Sequence, residues 1–411
     1  MREILFISHR IPFPPDRGDK IRSHHILQRL SRLAPVHVAT FADDDLDLAE
    51  EAELASIASS YRLVRRTKSL PVAGVQALAA RCAVSLSAFY DRSLAEYVGR
   101  VLATRSISTI YVFSGQMGQY VPEDFKGQVI ADFVDVDSAK FAAYAETHGG
   151  PLGWIYRREA ELLRAEEARL ARRANVSLLV SQAEVDLFVS RLPEEMRSAA
   201  DVRVLGNGID SGAFDPSMVV PETRMLDCPG PRLIFTGQMD YAPNVDAVVR
   251  AVDRIMPLIR EAFPDATFHV VGRNPAIEVL DRHGRDGCHV WGRVDDIRPW
   301  LKSADLALVP LMIARGVQNK VLEAMSMALP IVLTGDAASG IDASDGHHYS
   351  IADSDEAIVE SCIRLLGDER RARAQGHAAR RFVTASASWQ SMLADLPRIM
   401  GWSSRAVRDA A

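Results

Sequence analysis

Short apolar runs alternate with amphipathic stretches along most of the chain. Residues 4–8 form a first apolar run, and a loop rich in Pro and Gly follows it. Residues 20–33 then carry Ile21, His25, Ile26, Leu30 and Leu33 at helical spacing. Strands are predicted at 36–41, 110–113, 128–133 and 177–181, separated by helical patterns of which 152–173 is the longest. The alternation restarts near residue 231. Strands are predicted there at 232–236, 267–271, 289–290, 305–310 and 331–334, and helices at 245–259, 297–301, 317–328 and 355–366. This rhythm predicts an α/β fold of two Rossmann-like, doubly wound domains facing across a cleft. The expected boundaries are 1–206, a linker at 207–228 that contains Gly208, Gly212, Pro216 and Pro221, a second domain at 229–385, and a C-terminal segment at 386–411 whose last ten residues are expected to fray.

In sheets of this kind ligands bind at the carboxyl ends of the strands, so the loops after strands are the places to search. The segment 304–334 is the most informative. A strand ends at Pro310, a loop carries Arg315 and Gly316, and a helix follows with Val317, Val321, Leu322, Met325 and Leu329 on one stripe. The unpaired N–H groups and positive dipole end of such a helix suit a diphosphate. Arg315 and Lys320 add cationic charge at that end, and Glu323, about a turn deeper, can accept two hydrogen bonds from a ribose diol. A plain amphipathic helix with exposed Lys and Glu is the competing reading.

These residues also carry a resemblance. The run VLEAM at 321–325, followed by Leu329 and Pro330, resembles the donor-binding motif of the family 4 retaining glycosyltransferases of GT-B fold. The resemblance implies that Glu323 holds the nucleotide ribose. The family's first motif Glu falls at Arg315, so the arginine is expected to face phosphate. The variant around 316–325 also resembles a sub-group found beside PEP-CTERM/exosortase exopolysaccharide genes. VLGNGID at 204–210 is similar to the family's domain-junction segment, with Gly208 expected to supply a turn and Asn207 and Asp210 local hydrogen bonds. FTGQMDYAPN at 235–244 places Gly237 where backbone approaches phosphate, but with Met239, Asp240 and Asn244 where many members carry Arg and Lys. VWGRVD at 290–295 resembles the base-holding loop, implicating Arg293 and Val294, and VGRNP at 271–275 resembles a G-x-x-P turn beside it. Trp389 falls where the family's last helices cross back to the first domain. The loop 8–25 is similar to the Gly-rich loop after the first strand. There Gly18 is expected to approach the leaving phosphate, with Arg17, Lys20 and Arg22 as nearby cations on the acceptor side.

The resemblance thus implies a sugar transfer from a nucleotide-diphosphate sugar, UDP- or GDP-linked, to a hydroxyl of a glycan or lipid-linked acceptor, with retention. The donor is a co-substrate; no cofactor and no metal is expected. Arg315 and Lys320 are expected to stabilise the leaving diphosphate, and Gly316 and Val321 to join Gly18, Gly237, Arg293, Val294 and Glu323 in holding the donor. A nucleotide-sugar epimerase on the same fold and a non-catalytic sugar- or nucleotide-binding protein are the alternatives.

Other features narrow the picture. The formal charge of −6 argues against a general nucleic-acid binder. No run of 18 apolar residues occurs, and MREILFISHR reads as a first strand rather than a signal peptide, so a cytoplasmic location is expected. Cys82, Cys228, Cys288 and Cys362 lack metal-ligand spacing and read as buried thiols. The acidic run 43–53 reads as a solvated loop and helix face. Asp135 and Asp137 resemble a metal-binding Asp-x-Asp, but an acceptor-side lining by Asp135 or a surface turn is favoured. His9, His24, His25 and His37 lack ligand spacing, and FSGQM at 113–117 has no His where many family members carry one, so no catalytic His is named. Arg62, Arg65, Arg66 and Lys68 precede the apolar stretch 72–84. A strand and a core helix with solvated arginines is the favoured reading; peripheral contact with the inner membrane leaflet is the alternative.

Overall fold

The computed structural model describes residues 2–15, 17–314 and 317–402. The chain divides into two units, Met1–Asn207 with Leu393–Ala411, and Gly208–Met392. The boundary falls at the Asn207–Gly208 bond, so most of the expected 207–228 linker belongs to the second unit, while the chain after Met392 returns to the first.

The first unit is built on seven parallel strands in the order β3-β2-β1-β4-β5-β6-β7. They are β1 (Glu3–Ser8), β2 (Val36–Ala42), β3 (Ser60–Arg65), β4 (Ile107–Phe113), β5 (Gln128–Val134), β6 (Val176–Leu179) and β7 (Val202–Val204). The central strands are apolar without alternation because helices cover both faces. Ile4 to Ile7 are fully buried, and β1 pairs in register with both neighbours, Ser8 opposite Thr40 on one side and Phe113 on the other. The edge strand β3, SYRLVR, is only half-buried, so its apolar signal is weak and periodicity did not reveal it. The order reverses between β1 and β4, and that switch point opens a crevice at their carboxyl ends.

The second unit has six parallel strands in the order β10-β9-β8-β11-β12-β13. They are β8 (Arg232–Thr236), β9 (Thr267–Val271), β10 (Cys288–Gly292), β11 (Leu306–Val309), β12 (Ile331–Leu333) and β13 (Ser350–Ile351). Its switch point lies between β8 and β11. The helix expected over 245–259 runs as Ala242–Arg250 and Met256–Ala262, joined by a widened turn at Ala251–Ile255. Pro257, at the start of the second piece, has no N–H to continue an α-helical ladder, which accounts for that turn.

Several expectations change. Gly208 does not adopt a left-handed turn; a Cβ there would lie 2.5 Å from the Trp389 nitrogen, so glycine permits the close backbone crossing at the Ile209–Ser388 bridge. Asp210 does make the local hydrogen bonds, accepting from the N–H groups of Gly212 and Ala213. Cys288 and Cys362 are buried, but Cys82 and Cys228 are partly exposed. The acidic run is not simply solvated: Asp47 is buried against Lys20, and Asp43 meets Arg10, Arg17 and Arg66. The helix after the 62–68 basic cluster, Leu70–Ala80, is not a core helix: of its residues only Ala73 and Ala77 are buried. Residues 403–411, within the segment expected to fray, lie outside the described residues.

Candidate functional site

In the second unit the switch point gathers the loops after β8 and β11. The helix Asn319–Ser326 forms because Val321, Leu322, Ala324 and Met325 make one apolar stripe that packs into the core. Lys320 and Glu323, three residues apart, therefore share the other face. The Val321 and Leu322 N–H groups donate to the Gln318 carbonyl, whereas those of Asn319 and Lys320 have no backbone acceptor among the described residues. Lys320 Nζ donates to Asn244 Oδ1 at 2.5 Å and lies 4.4 Å from the centroid of the Phe235 ring. Asn244 Nδ2 donates to the Gln238 carbonyl at 2.8 Å. The lysine is thus held over the end of β8 by a neutral amide and an aromatic face, not by a carboxylate.

Gly237, with φ +154°, sits under this lysine: a Cβ would lie 3.2 Å from Lys320 Nζ and 2.9 Å from Asn244 Nδ2. Gly272, after β9, is tighter still, since a Cβ would lie 1.7 Å from the Gly237 carbonyl oxygen. The two glycines let adjacent loops pack backbone against backbone. Further bonds lace them: Met239 N–H donates to the Arg273 carbonyl at 2.9 Å, and Gly272 N–H to that of Gly292 at 2.9 Å.

The electrostatics fit an anion with a diol. Burial lowers the Lys320 ammonium to about 8, with Glu323 acting in the opposite sense. Burial raises the Glu323 carboxyl to about 7, opposed by Lys320. No described residue donates a hydrogen bond to the Glu323 carboxylate. Glu323 is half-buried, so its carboxylate oxygens remain open to a ligand's donors.

The other sequence-derived positions sort clearly. Arg315 and Gly316 lie outside the described residues. Val321 is fully buried in the core, so its side chain contacts no ligand. Arg293 and Val294 follow Gly292 at the carboxyl end of β10, the arginine exposed and the valine half-buried.

In the first unit Gly18 opens the helix Gly18–Ser31, whose N-cap residue Arg17 makes no side-chain cap. A Cβ at Gly18 would meet nothing within 4 Å, so close packing does not demand glycine there. Arg17 is exposed and pairs with Asp19 and Asp43 at 3.3 Å each. Lys20 and Arg22, expected as acceptor-side cations, are corrected to structural roles. Lys20 Nζ is buried against Asp47 Oδ1 at 2.5 Å and the Phe13 carbonyl at 3.0 Å. Arg22, 1% exposed, bonds both oxygens of buried Asp132 at 3.0 and 3.1 Å and donates to Asn207 Oδ1 at 3.0 Å. Both cations are consumed by carboxylates in the interior. Asp135 is exposed just past the end of β5. Among the described residues no cluster could hold a metal ion.

Sequence reasoning missed His9. It follows β1 directly, at the switch point, and its ring stacks parallel to Phe113 at 5.8 Å with Phe89 edge-on at 5.7 Å. Nε2 lies 3.2 Å from Asp19 Oδ2 and 3.0 Å from Arg10 Nη1. Nδ1 is buried with no hydrogen-bond partner among the described residues. Burial lowers the imidazole below its ordinary value although Asp19 opposes this, so the ring is neutral at pH 7. The available signal was position: the first residue past the first strand of a doubly wound sheet. Ser114, with φ +79°, faces the same switch point from the end of β4.

Comparison with known proteins shows similarity to glycosyltransferases. Residues 230–368 match the family described as Glycosyl transferases group 1. Over 407 residues the chain is 23% identical to a GDP-mannose-dependent alpha-(1-6)-phosphatidylinositol monomannoside mannosyltransferase of Mycolicibacterium smegmatis, covering 94% of this chain and 96% of that one. Anabaena HepE, solved in complex with UDP and glucose, superposes with a TM-score of 0.60 at 11% identity, covering 97% of this chain and 99% of that chain. WaaG, a glycosyltransferase involved in lipopolysaccharide biosynthesis, superposes at 0.59 with 16% identity, covering 98% and 100%. The two parallel-sheet units are those of the GT-B fold.

Proposed function

We propose that this chain, a glycosyltransferase, moves a hexosyl unit from a nucleotide-diphosphate sugar bound on the second unit to a hydroxyl of a lipid-linked or glycan acceptor bound on the first, with retention of configuration. The observation that carries the reading is the half-buried Glu323 carboxylate, which receives no hydrogen bond from any described residue and lies one helical turn from Lys320 at the end of β8. A ribose diol supplies two O–H donors to that carboxylate. The diphosphate then reaches Lys320, the uncapped helix N–H groups and the Gly237 backbone. As the glycosidic bond breaks, negative charge grows on the leaving diphosphate, and a fixed cation with oriented amides lowers that barrier. Arg315 adds a second cation in this reading. No metal or cofactor is needed for this step, because the charge is met by side chains and backbone.

Similarity to a GDP-mannose-dependent enzyme acting on a phosphatidylinositol mannoside supports a GDP-linked donor and a lipid-linked acceptor. A role in exopolysaccharide or cell-envelope glycan synthesis, on the PEP-CTERM/exosortase pattern of the 316–325 segment, completes the proposal.

The test is thermal stability of the full chain with a panel of UDP- and GDP-sugars. Selective binding to the folded state raises the melting temperature, by about 2.7 kcal/mol of stability at a hundredfold excess over Kd. One sugar nucleotide is expected to do so, and Glu323→Ala to abolish it. No shift with any of them at millimolar concentration, or an unchanged shift in Glu323→Ala, overturns the reading. Donor turnover without acceptor, with the sugar rearranged, would instead assign an epimerase.

A further inference from the structure

We propose that the helix Leu70–Ala80, together with the first turns of the helix Gly150–Arg173, forms a docking surface for an anionic lipid bilayer. This deepens the reading of a lipid-linked acceptor by naming the surface that brings the enzyme to it.

The helix LPVAGVQALAA contains no charged residue, yet Leu70, Val72, Val75 and Leu78 are 67%, 49%, 70% and 53% exposed. Only Ala73 and Ala77 turn inward. This is the reverse of an ordinary surface helix, whose apolar stripe faces the core. The neighbouring helix is tied to it, since Arg158 Nη2 donates to the Ala77 carbonyl at 3.2 Å. Trp154 and Ile155, four and three residues before Arg158, share its helical face and are exposed, as is Leu152. The two neighbouring helices thus expose apolar side chains in a number that soluble proteins rarely leave uncovered. Trp154 adds the amphipathic ring favoured at the level of lipid headgroups.

Charge selects the occupant. Residues 66–90 contain three cations and no carboxylate, and residues 148–158 contain two arginines and no carboxylate, in a chain whose net charge is −6. Arg66 is paired with Asp43, and Lys68 donates to the carbonyls of Ser87 and Tyr90. Arg81, at the end of the apolar helix, is exposed and forms no ion pair with any described residue; Arg157 is exposed as well, in a groove it shares with Glu146 and Glu161. An apolar face with exposed cations beside it matches an anionic leaflet, where hydrocarbon takes the side chains and headgroups take the charge. A second copy of this chain would bring the same cations against themselves.

The experiment is co-sedimentation of the full chain with vesicles of phosphatidylglycerol and phosphatidylcholine in equal parts, and with phosphatidylcholine alone. Wild type is expected to bind the mixed vesicles, less so as salt rises. Val75→Asp with Leu78→Asp is expected to weaken binding about tenfold or more. Arg81→Glu with Arg157→Glu is expected to weaken it about tenfold on mixed vesicles, with no effect on neutral ones. All four positions are exposed, and the melting-temperature shift with sugar nucleotide is expected to stay unchanged in both variants. That second readout separates the surface from the donor site: vesicle binding can fail while donor binding persists, or the reverse. No binding of wild type to mixed vesicles, or unaltered binding by Val75→Asp with Leu78→Asp, overturns the proposal. So does a change from dimer to monomer in that variant without vesicle binding, which would assign the patch to self-association.

Discussion

Lys320 Nζ lies 2.5 Å from Asn244 Oδ1, and this pair places an uncommitted positive charge over the end of β8. Asn244 orients the ammonium without neutralising it, whereas a carboxylate at that position would compete with a phosphate. Phe235 beneath adds a quadrupole that favours the cation without satisfying its remaining donors. Lys320→Met, which keeps the length and apolar stem, is therefore expected to cost roughly 1.5–3 kcal/mol of nucleoside diphosphate affinity, the range of a charged hydrogen bond. Titration calorimetry with UDP and GDP measures it; an unchanged Kd would remove the lysine from the site.

The same helix predicts proton linkage of changing sign. The Glu323 carboxyl, raised to about 7, is largely protonated at about pH 6 and must lose its proton to accept a ribose diol fully. The Lys320 ammonium, lowered to about 8, is largely neutral at about pH 9 and must gain a proton to meet phosphate. Binding is expected to release protons at the low pH and take them up at the high one, with greatest affinity between. Calorimetry in buffers of different ionisation heat reads this directly. Glu323→Gln is expected to abolish the release at low pH and leave the uptake at high pH.

Gly272 is required by contact rather than by dihedral angle. Gly272→Ala places a methyl 1.7 Å from the Gly237 oxygen, so one of the two loops must move. The expected cost is about 1–3 kcal/mol of stability, typical of overpacking. Donor affinity is expected to fall with it, because the displaced loop carries Gly237. A variant with wild-type melting temperature and donor Kd would show that the loops pack differently.

Arg22 holds the first unit from inside. Its guanidinium meets both oxygens of Asp132, and the Tyr111 hydroxyl donates to the same carboxylate at 2.9 Å. Arg22→Met strands that charge in the interior and is expected to destabilise by on the order of 3–5 kcal/mol. Asp132→Asn is expected to cost less in the Arg22→Met background than in wild type, the signature of coupling in a double-mutant cycle.

His9 bears on the acceptor side of the proposed reaction. Its buried Nδ1, without a partner among the described residues, is a group that a hydroxyl can satisfy in either tautomer, since a hydroxyl both donates and accepts. His9→Phe preserves the stack on Phe113 and is expected to hold stability within about 1 kcal/mol. It is expected to raise KM for the acceptor while the donor Kd stays unchanged. Equal kinetics in both forms would leave His9 a packing residue.

Sequence alone determined the two sheets, because strands buried on both faces must be continuously apolar. The spans 232–236 and 267–271 coincide residue for residue with β8 and β9. It also determined that Lys320 and Glu323 share a helical face, which follows from their spacing and the apolar stripe opposite. Three edge strands escaped: β3, whose pattern is diluted by solvent-facing polar residues, and β7 and β13, which are too short to carry a pattern. What charge meets what charge was decided only by tertiary structure. Lys20 and Arg22 read as cations near a loop, but Asp47 and Asp132, distant in sequence, neutralise them in the interior. The apolar run at 70–80 has the composition of a core helix, and only the fold decides whether a neighbour covers it. Hydrophobic period fixes local structure because it acts over a few residues, whereas burial and ion pairing depend on what distant segments bring alongside.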